Sequence, residues 1–136
     1  PTRRGLLLAA TLAAPAGLRA QAGYPSRPVR VIIPFAASGG ADTFIRLMSD
    51  ALAEALGQPI VIENRPGAGA TIGTDFVAKS PPDGHALLVI STAQTTNETL
   101  LPNRPYVLMR DFTPVAMVNR TNYALVCTSG LPARNV

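Results

Sequence analysis

Residues 29–40 have the sequence Val-Arg-Val-Ile-Ile-Pro-Phe-Ala-Ala-Ser-Gly-Gly. The first part is a β-branched run that ends at a proline, which predicts a strand buried on both faces of a sheet. The second part is a loop of small residues. A helix is predicted after it, over residues 41–56, with Asp42 near the free N–H groups of the helix start and Gly57 as the C-terminal cap. Strand, loop and helix make one unit of an α/β fold.

The same unit recurs downstream. Residues 60–64 predict a second strand, and residues 67–73, Gly-Ala-Gly-Ala-Thr-Ile-Gly, form a second small-residue loop before a short helix over 73–79. A third strand is predicted at 86–90, followed by a polar segment, 91–99, that suits a helix start, and further strands are predicted at 114–118 and 123–127. This alternation predicts an open parallel sheet with flanking helices and right-handed crossovers.

The first helix has an amphipathic pattern. Its charged residues Asp42, Arg46, Asp50 and Glu54 recur every fourth position, so they are expected on the face away from the sheet. The apolar stripe predicted to face the sheet comprises Phe44, Met48, Ala51, Leu52, Ala55 and Leu56.

The two small-residue loops predict where a ligand binds. In open α/β sheets ligands lie beyond the carboxyl ends of the strands, where both loops and residues 91–92 fall. Backbone N–H groups at a helix start attract anions. Nearby hydroxyl groups that suit such a site belong to Ser38, Thr71, Ser91, Thr92 and Thr95. The alternative is that the glycines only form tight turns. The favoured interpretation is a site for a carboxylate or phosphate.

Motifs for other chemistries are absent from the sequence. There is no Gly-x-x-x-x-Gly-Lys-Ser/Thr, no Gly-x-Gly-x-x-Gly after the first strand and no Gly-x-Ser-x-Gly around Ser38, which argues against nucleotide binding and a nucleophile elbow. His85 follows Pro-Pro-Asp-Gly and is predicted to be a turn residue. With one cysteine and one histidine, the chain alone cannot build a Cys-based zinc cluster or a two-histidine site. No catalytic residue, metal or cofactor is expected.

Two single residues allow alternatives. Arg65, at the end of the second strand, could hold a carboxylate with two hydrogen bonds, or could form a surface pair with Glu63 or Asp42. Cys127 lies in an apolar run, so a buried structural thiol is favoured over a nucleophile.

The first 22 residues have the pattern of a secretory signal peptide. Arg3 and Arg4 precede an apolar run of about a dozen residues, too short to span a membrane, and Ala20-Gln21-Ala22 forms a cleavage site. The arginine pair is also compatible with a twin-arginine signal. The alternative is an N-terminal core helix.

Composition limits the remaining classes. The chain has 136 residues, one domain at most or a piece of something larger, and its 47% hydrophobic and 15% charged residues exclude disorder. Of its 12 basic residues, three lie before residue 23, which leaves nine against eight acidic residues. A net charge of +1 with interleaved signs argues against nucleic-acid binding.

Several blocks together resemble one family, the substrate-binding proteins of tripartite tricarboxylate transporters, or Bug family. The blocks lie at residues 24–28, 31–35, 56–69, 72–73, 77–85 and 111–115, and the resemblance extends from Tyr24 to Val136. It implies a periplasmic, monomeric, non-enzymatic protein with a type 2 periplasmic-binding-protein-like fold. Such a protein closes on a small carboxylate and works with membrane transporter subunits.

The resemblance also implies, position by position, which residues bind the ligand. They are Phe35, Ala36, Ala37, Ser38, Gly39, Gly40, Gly67, Ala68, Gly69, Ala70, Thr71, Ser91 and Thr92. The implied organisation is a signal peptide at 1–22, an incomplete first lobe at 23–118 and a crossover at 119–136 into a second lobe that is mostly missing.

The chain departs from the family in three ways. Ser38 and Ala70 stand where glycine is usual, and Ala70 would crowd a loop that needs a positive φ. The usual Asp after Tyr106 is missing. The chain has about half the family's length, so it is expected to be a truncated form. The alternatives are an α/β enzyme fragment that uses the same loops as an oxyanion or phosphate site, and a non-functional truncated gene product.

We expect export with cleavage near Ala22, because the charged, apolar and small-residue segments occur in signal-peptide order. N-terminal sequencing of the protein recovered from the periplasm should begin near Gly23. An intact Pro1 on a cytoplasmic product would contradict this expectation.

Overall fold

A computed structural model of the chain describes residues 23–120 together with residues 122, 124 and 126. Its elements are β1 (Val29–Ile33), α1 (Gly40–Leu56), β2 (Ile60–Asn64), a 3₁₀ turn (Ala68–Ala70), α2 (Thr71–Ala78), β3 (Ala86–Leu88), α3 (Thr92–Leu100) and α4 (Leu108–Asp111). The predicted signal peptide lies outside the described residues. Within the described part, no helix has the length and apolar character needed to cross a membrane.

The three strands form one parallel sheet in the order β2-β1-β3. Val31 of the central strand lies opposite Ile62 on one side and Leu87 on the other. The pairing continues past the strand ends, because the Arg65 amide donates to the Ile33 carbonyl at 2.8 Å and the Val89 amide to the Ile32 carbonyl at 3.0 Å. The predicted open parallel sheet is confirmed, and all three carboxyl ends lie at one edge.

The core is built around β1. Val29, Ile32 and Ile33 are completely buried, as predicted for a strand covered on both faces. Val31 and Ile33 cluster with Ile45 of α1, and partly buried side chains from the neighbouring strands pack against them. Burying each such aliphatic side chain contributes about 1.5–3 kcal/mol. The core therefore fixes β1 in the middle of the sheet.

The buried face of α1 differs from the predicted stripe. Ile45 and Asp42 are its most buried residues, whereas Ala51 and Ala55 are exposed. Asp42 and Ile45 are three positions apart and share a helix face, so the face toward the sheet includes a carboxylate. The prediction that Asp42 faces away from the sheet is therefore wrong, because its hydrogen bonds keep it buried.

The third strand is shorter than predicted, and residues 114–118 are not a strand. Val115 and Met117 are 81% and 74% exposed. A strand needs a neighbour for its N–H and C=O groups, and no described segment pairs with residues 114–118. The predicted strand at 123–127, with Cys127, and most of the predicted crossover at 119–136 lie outside the described residues.

A strap formed by residues 24–27 holds the start of β3. The Tyr24 hydroxyl donates to the Gly84 carbonyl at 2.7 Å, and Arg27 pairs with Asp83 at 2.7 Å. The Ser26 amide donates to Nε2 of His85 at 3.2 Å. Because Nε2 accepts, the ring proton lies on Nδ1, which faces the Asp83 carboxylate at 3.2 Å. His85, 7% exposed, therefore has a structural role at a turn, as predicted.

We expect Gly73→Ala to destabilise the fold by about 1–3 kcal/mol, as overpacking does. A Cβ at this position would lie 2.8 Å from the Arg65 carbonyl oxygen and 2.9 Å from Cβ of Pro34. Urea unfolding of the purified protein measures the change. Gly40→Ala is the matched control, since its Cβ would meet no atom within 4 Å. Equal unfolding midpoints for Gly73→Ala and the parent would contradict the expectation.

Candidate functional site

Three loops meet at the carboxyl edge of the sheet. Residues 34–39 follow β1, residues 65–70 follow β2 and residues 89–91 follow β3. Each residue predicted from the sequence as a ligand contact lies in one of these loops or in the first residue of the helix that follows it. In the first loop, residues 36–39 are exposed, as is Gly40 at the start of α1, and in the second loop residues 66–69 are exposed. These exposed residues lie at the carboxyl edge of the sheet, where a ligand could reach them.

The first loop is fixed by the carboxylate of Asp42. Ser38 has a φ of 65°, and its amide donates to Oδ2 of Asp42 at 2.8 Å. The same carboxylate accepts from Nε of Arg46 at 3.0 Å and from Nδ2 of Asn64 at 3.0 Å. The Arg46 hydrogen bond, followed by the Ser38 amide, lowers the pKa of Asp42 to about 2. Asp42 is therefore ionised at neutral pH, and its charge is balanced by Arg46.

The amides at the start of α1 remain available to an anion. Gly39 is the N-terminal cap, and no side chain caps this helix end. The first four N–H groups of a helix have no acceptor within the helix. The Ser38 amide is bonded to Asp42 instead, which leaves the amides of Gly39, Gly40 and Ala41 beside the exposed loop. The 17-residue helix adds the partial positive charge of its dipole at this end.

The second loop has a left-handed backbone. Gly67, Ala68, Gly69 and Ala70 have φ values of 125°, 47°, 61° and 76°. Nδ2 of Asn97 donates to the Gly69 carbonyl at 2.7 Å. The hydroxyl of Thr74 donates to the Ala70 carbonyl at 2.8 Å. The carbonyl groups of Gly69 and Ala70 thus accept hydrogen bonds from side chains of α3 and α2.

The hydroxyl groups predicted for the site make different contacts. Ser91 caps α3: its hydroxyl accepts from the Ala93 amide at 3.1 Å, and its own amide donates to Oε1 of Gln94 at 2.9 Å. The Thr95 hydroxyl donates to the Thr92 carbonyl at 2.9 Å, so it lies within α3. The Thr71 hydroxyl is buried and has no hydrogen-bond partner among the described residues.

Arg65 forms a surface pair with Glu63, which is one of the alternatives that the sequence left open. Its guanidinium donates to Glu63 at 3.1 and 3.2 Å and lies 3.7 Å from the centre of the Phe76 ring. Glu63 also accepts two hydrogen bonds from Arg30, at 2.6 and 3.0 Å. Arg65 is therefore held against α2 by a charge pair and a cation–π contact.

The sequence did not predict a role for Asn64 and Asn97, whose side-chain amide groups hold the first and the second loop. Their partners lie 22 to 29 positions away. Asn97 also lines a cavity of about 540 Å³ beside the second loop, with Ala68, Gly69 and Thr71 on the same wall. Within the described part of the chain, no three His, Cys, Asp or Glu side chains come together as metal ligands.

A sequence model of the tripartite tricarboxylate transporter family receptor matches residues 44–136. The chain belongs to this receptor family. It is 42% identical over 105 residues to the protein BugT of Bordetella pertussis, a match that covers 76% of this chain and 32% of BugT. The chain spans about a third of the length of the curated relatives it matches.

Solved structures of the family share the fold. MatC from Rhodopseudomonas palustris, solved with bound malate, is 44% identical with a TM-score of 0.66, over 70% of this chain and 33% of MatC. A solute-binding protein of the family from Polaromonas, solved without ligand, is 34% identical with a TM-score of 0.54, over 57% of this chain and 27% of that chain. These similarities confirm the predicted resemblance and the α/β fold class of periplasmic binding proteins.

We expect Ser38→Gly to stabilise the receptor chain and Ala70→Gly to be nearly neutral. Replacing a left-handed non-glycine residue by glycine removes backbone strain of about 1–2 kcal/mol. Glycine also has more conformational freedom in the unfolded chain, which lowers the free energy of unfolding by about 0.4–1 kcal/mol. Ser38 is exposed, so about 1 kcal/mol of net gain remains. Ala70 is 4% exposed and also loses a buried methyl group, worth about 0.8 kcal/mol.

Denaturant unfolding of the two variants tests these signs. Ala36→Gly is the control, because Ala36 is exposed and is not among the positive-φ residues, so glycine there should only destabilise. A Ser38→Gly variant less stable than the parent would show that the left-handed serine carries no strain.

Proposed function

We propose that residues 23–118 form the first lobe of a periplasmic solute-binding protein that captures a small carboxylate. The site is the carboxyl edge of the sheet, formed by the loops after β1, β2 and β3. The partners are the membrane subunits of a tripartite tricarboxylate-type transporter. The family membership of the chain and the malate bound to its relative MatC support this assignment.

The observation that carries the proposal is the uncapped start of α1. The amides of Gly39, Gly40 and Ala41 lie next to an exposed loop and have no side-chain acceptor. An anion at a helix N-terminus is stabilised by such N–H groups and by the helix dipole. A carboxylate is small enough to accept from two adjacent amides, and it needs no lysine or arginine in the site.

The second loop supplies the facing wall. Two of its carbonyl oxygens, those of Gly69 and Ala70, already accept hydrogen bonds from Asn97 and Thr74. A carboxylate would be repelled by unbonded carbonyl oxygens, so these hydrogen bonds favour an anion. Ser91 and Thr92 complete the edge after β3, where the capped start of α3 places a second helix dipole near the loops.

A second lobe is part of the proposal. The matched part of this chain covers only about a third of the length of its relatives, and an open edge of one sheet buries only part of a small ligand. Ligand pockets bury most of their ligand's surface. We propose that a further lobe closes over the site, and that a single first lobe binds weakly.

The periplasmic location of the protein and its membrane transporter partners are inferred from the same assignment. Members of the family are periplasmic binding proteins, and the N-terminal signal-peptide pattern fits this location. A monomeric receptor that delivers its ligand to membrane subunits needs no catalytic group. Among the described residues His85 and Ser91 are engaged in structural hydrogen bonds, so no observation favours the enzyme alternative.

We expect the full-length protein to bind malate or another small di- or tricarboxylate such as citrate, measured by calorimetry. At a ligand concentration 100 times the Kd, the free energy of unfolding should rise by about 2.7 kcal/mol. The absence of both heat and stabilisation with malate, citrate and glutamate would contradict the function.

Gly67→Val tests the second loop within the same experiment. Gly67 has a φ of 125°, and its Cβ would lie 2.5 Å from Cδ1 of Ile72, so valine would distort the loop. The expected result is at least about tenfold weaker binding, or roughly 1.4 kcal/mol. Gly57→Val is the control, because Gly57 has a φ of 66° at the opposite end of α1 and should lower stability without changing the Kd. Unchanged affinity in Gly67→Val would remove the loop from the site.

A further inference from the structure

Asn64, Asp42 and Arg46 form a closed ring of hydrogen bonds. Nδ2 of Asn64 donates to Oδ1 of Asp42 at 3.0 Å. Nε of Arg46 donates to Oδ2 of Asp42 at 3.0 Å, and Nη2 of Arg46 donates to Oδ1 of Asn64 at 3.1 Å. The ring joins the end of β2 to the first turns of α1.

The ring also holds both halves of the first loop. Nδ2 of Asn64 donates a second hydrogen bond, to the Phe35 carbonyl at 3.2 Å. The Ser38 amide donates to Oδ2 of Asp42 at 2.8 Å. The loop is thus fixed at a carbonyl near its start and at an amide near its end, and both contacts meet in the ring.

Only an amide side chain satisfies the position of Asn64. Arg46 has donors but no acceptor, so it must face Oδ1, and the NH₂ group then faces two acceptors, the Asp42 carboxylate and the Phe35 carbonyl. An aspartate at this position would retain the contact to Arg46. It would lose both donated bonds and would place a second carboxylate beside Asp42.

Because Asp42 is buried, the fold depends on the hydrogen bonds that the ring provides to its carboxylate. Asp42 is 3% exposed, and a buried carboxylate without partners is strongly destabilising. The Asp42 carboxylate is therefore held next to its hydrogen-bond partners. The first loop, whose Ser38 amide donates to this carboxylate, is held in place as well. The Asp42 carboxylate accepts from the Ser38 amide and not from the amides of residues 39–41, which keep no side-chain acceptor.

We propose that Asn64 is a positioning residue for ligand binding, which acts through Asp42 and the Phe35 carbonyl to hold the first loop with the amides of residues 39–41 toward the cleft. This inference rests on the proposed carboxylate-binding function. Asn64 itself does not touch the ligand, because its amide group is used by the loop, the helix and Arg46.

The test compares Asn64→Asp with Gln58→Glu in the full-length protein. Gln58 is outside the ring, between α1 and β2 at the opposite edge of the sheet, and the control makes the same change from amide to carboxylate. Three quantities are measured: the Kd for malate by calorimetry, amide hydrogen exchange along residues 29–45, and the thermal unfolding midpoint. Arg46→Lys is a second, milder variant, since Arg46 is 51% exposed and lysine keeps its charge but not its bond to Asn64.

The expected result is a malate Kd weakened about tenfold or more in Asn64→Asp, the size expected for losing two hydrogen bonds that order a binding loop. Exchange should accelerate at Ser38 and at residues 39–41, while β1 keeps its protection. Gln58→Glu should leave the Kd and the exchange at residues 38–41 unchanged, and Arg46→Lys should give the same pattern as Asn64→Asp with smaller changes.

Two results would overturn the inference. One is an unchanged Kd together with unchanged exchange at Ser38 in Asn64→Asp, or in Arg46→Lys if Asn64→Asp does not fold. The other is faster exchange spread evenly over β1 and α1, which is the sign of a purely structural role. If the parent protein binds none of malate, citrate and glutamate, the proposed function fails instead, and the exchange data still decide whether Asn64 holds the loop.

Discussion

The parallel pairing of β1 on both of its sides is the constraint on which the rest of the structure depends. Because β1 lies between β2 and β3, the chain must leave each strand at the same edge of the sheet. The loops that follow are thereby brought together although they are some 30 positions apart in sequence. The complete burial of Val29, Ile32 and Ile33 keeps the central strand in place.

At the proposed site, an anion would meet dipoles and not an unpaired positive charge. Among the described residues, the buried carboxylate of Asp42 is balanced by Arg46, Arg30 and Arg65 are bound to Glu63, and Arg104 is bound to Glu98. What remains is the partial charge of the helix starts. Such a site would suit the proposed function, in which the ligand must also be released, because neutral amides bind a carboxylate less strongly than a buried arginine does.

The features that sequence analysis predicted well are those determined by neighbouring residues. The β-branched run at 29–33 and the glycine-rich segment at 67–73 predicted a strand and a loop from local pattern alone. Ile45 was missed and Ala51 and Ala55 were included in the stripe, because alanine carries too little apolar surface to reveal which way a helix faces.

Features that depend on distant residues were not predictable in this way. The burial of Asp42 depends on Asn64, which is 22 positions away, and charge periodicity alone suggested the opposite face. The strand predicted at 114–118 failed for the same reason: its β-branched and apolar residues suit a strand, but no neighbour pairs with it in the described part of the chain. Of the three left-handed non-glycine residues, Ser38 and Ala70 were noticed only through the family resemblance, and Ala68 was not noticed.

The strap of residues 24–27 has a practical consequence for anyone who handles this receptor. It is tied to Asp83, Gly84 and His85, directly before β3, and so lies at the amino edge of the sheet. A five-residue strand is about 16 Å long, and this length separates the strap from the loops proposed to bind the ligand. A fluorophore or a surface linker attached ahead of residue 24 would be anchored to a rigid part of the protein while leaving the opposite edge unobstructed, which makes this end the natural attachment point for a biosensor.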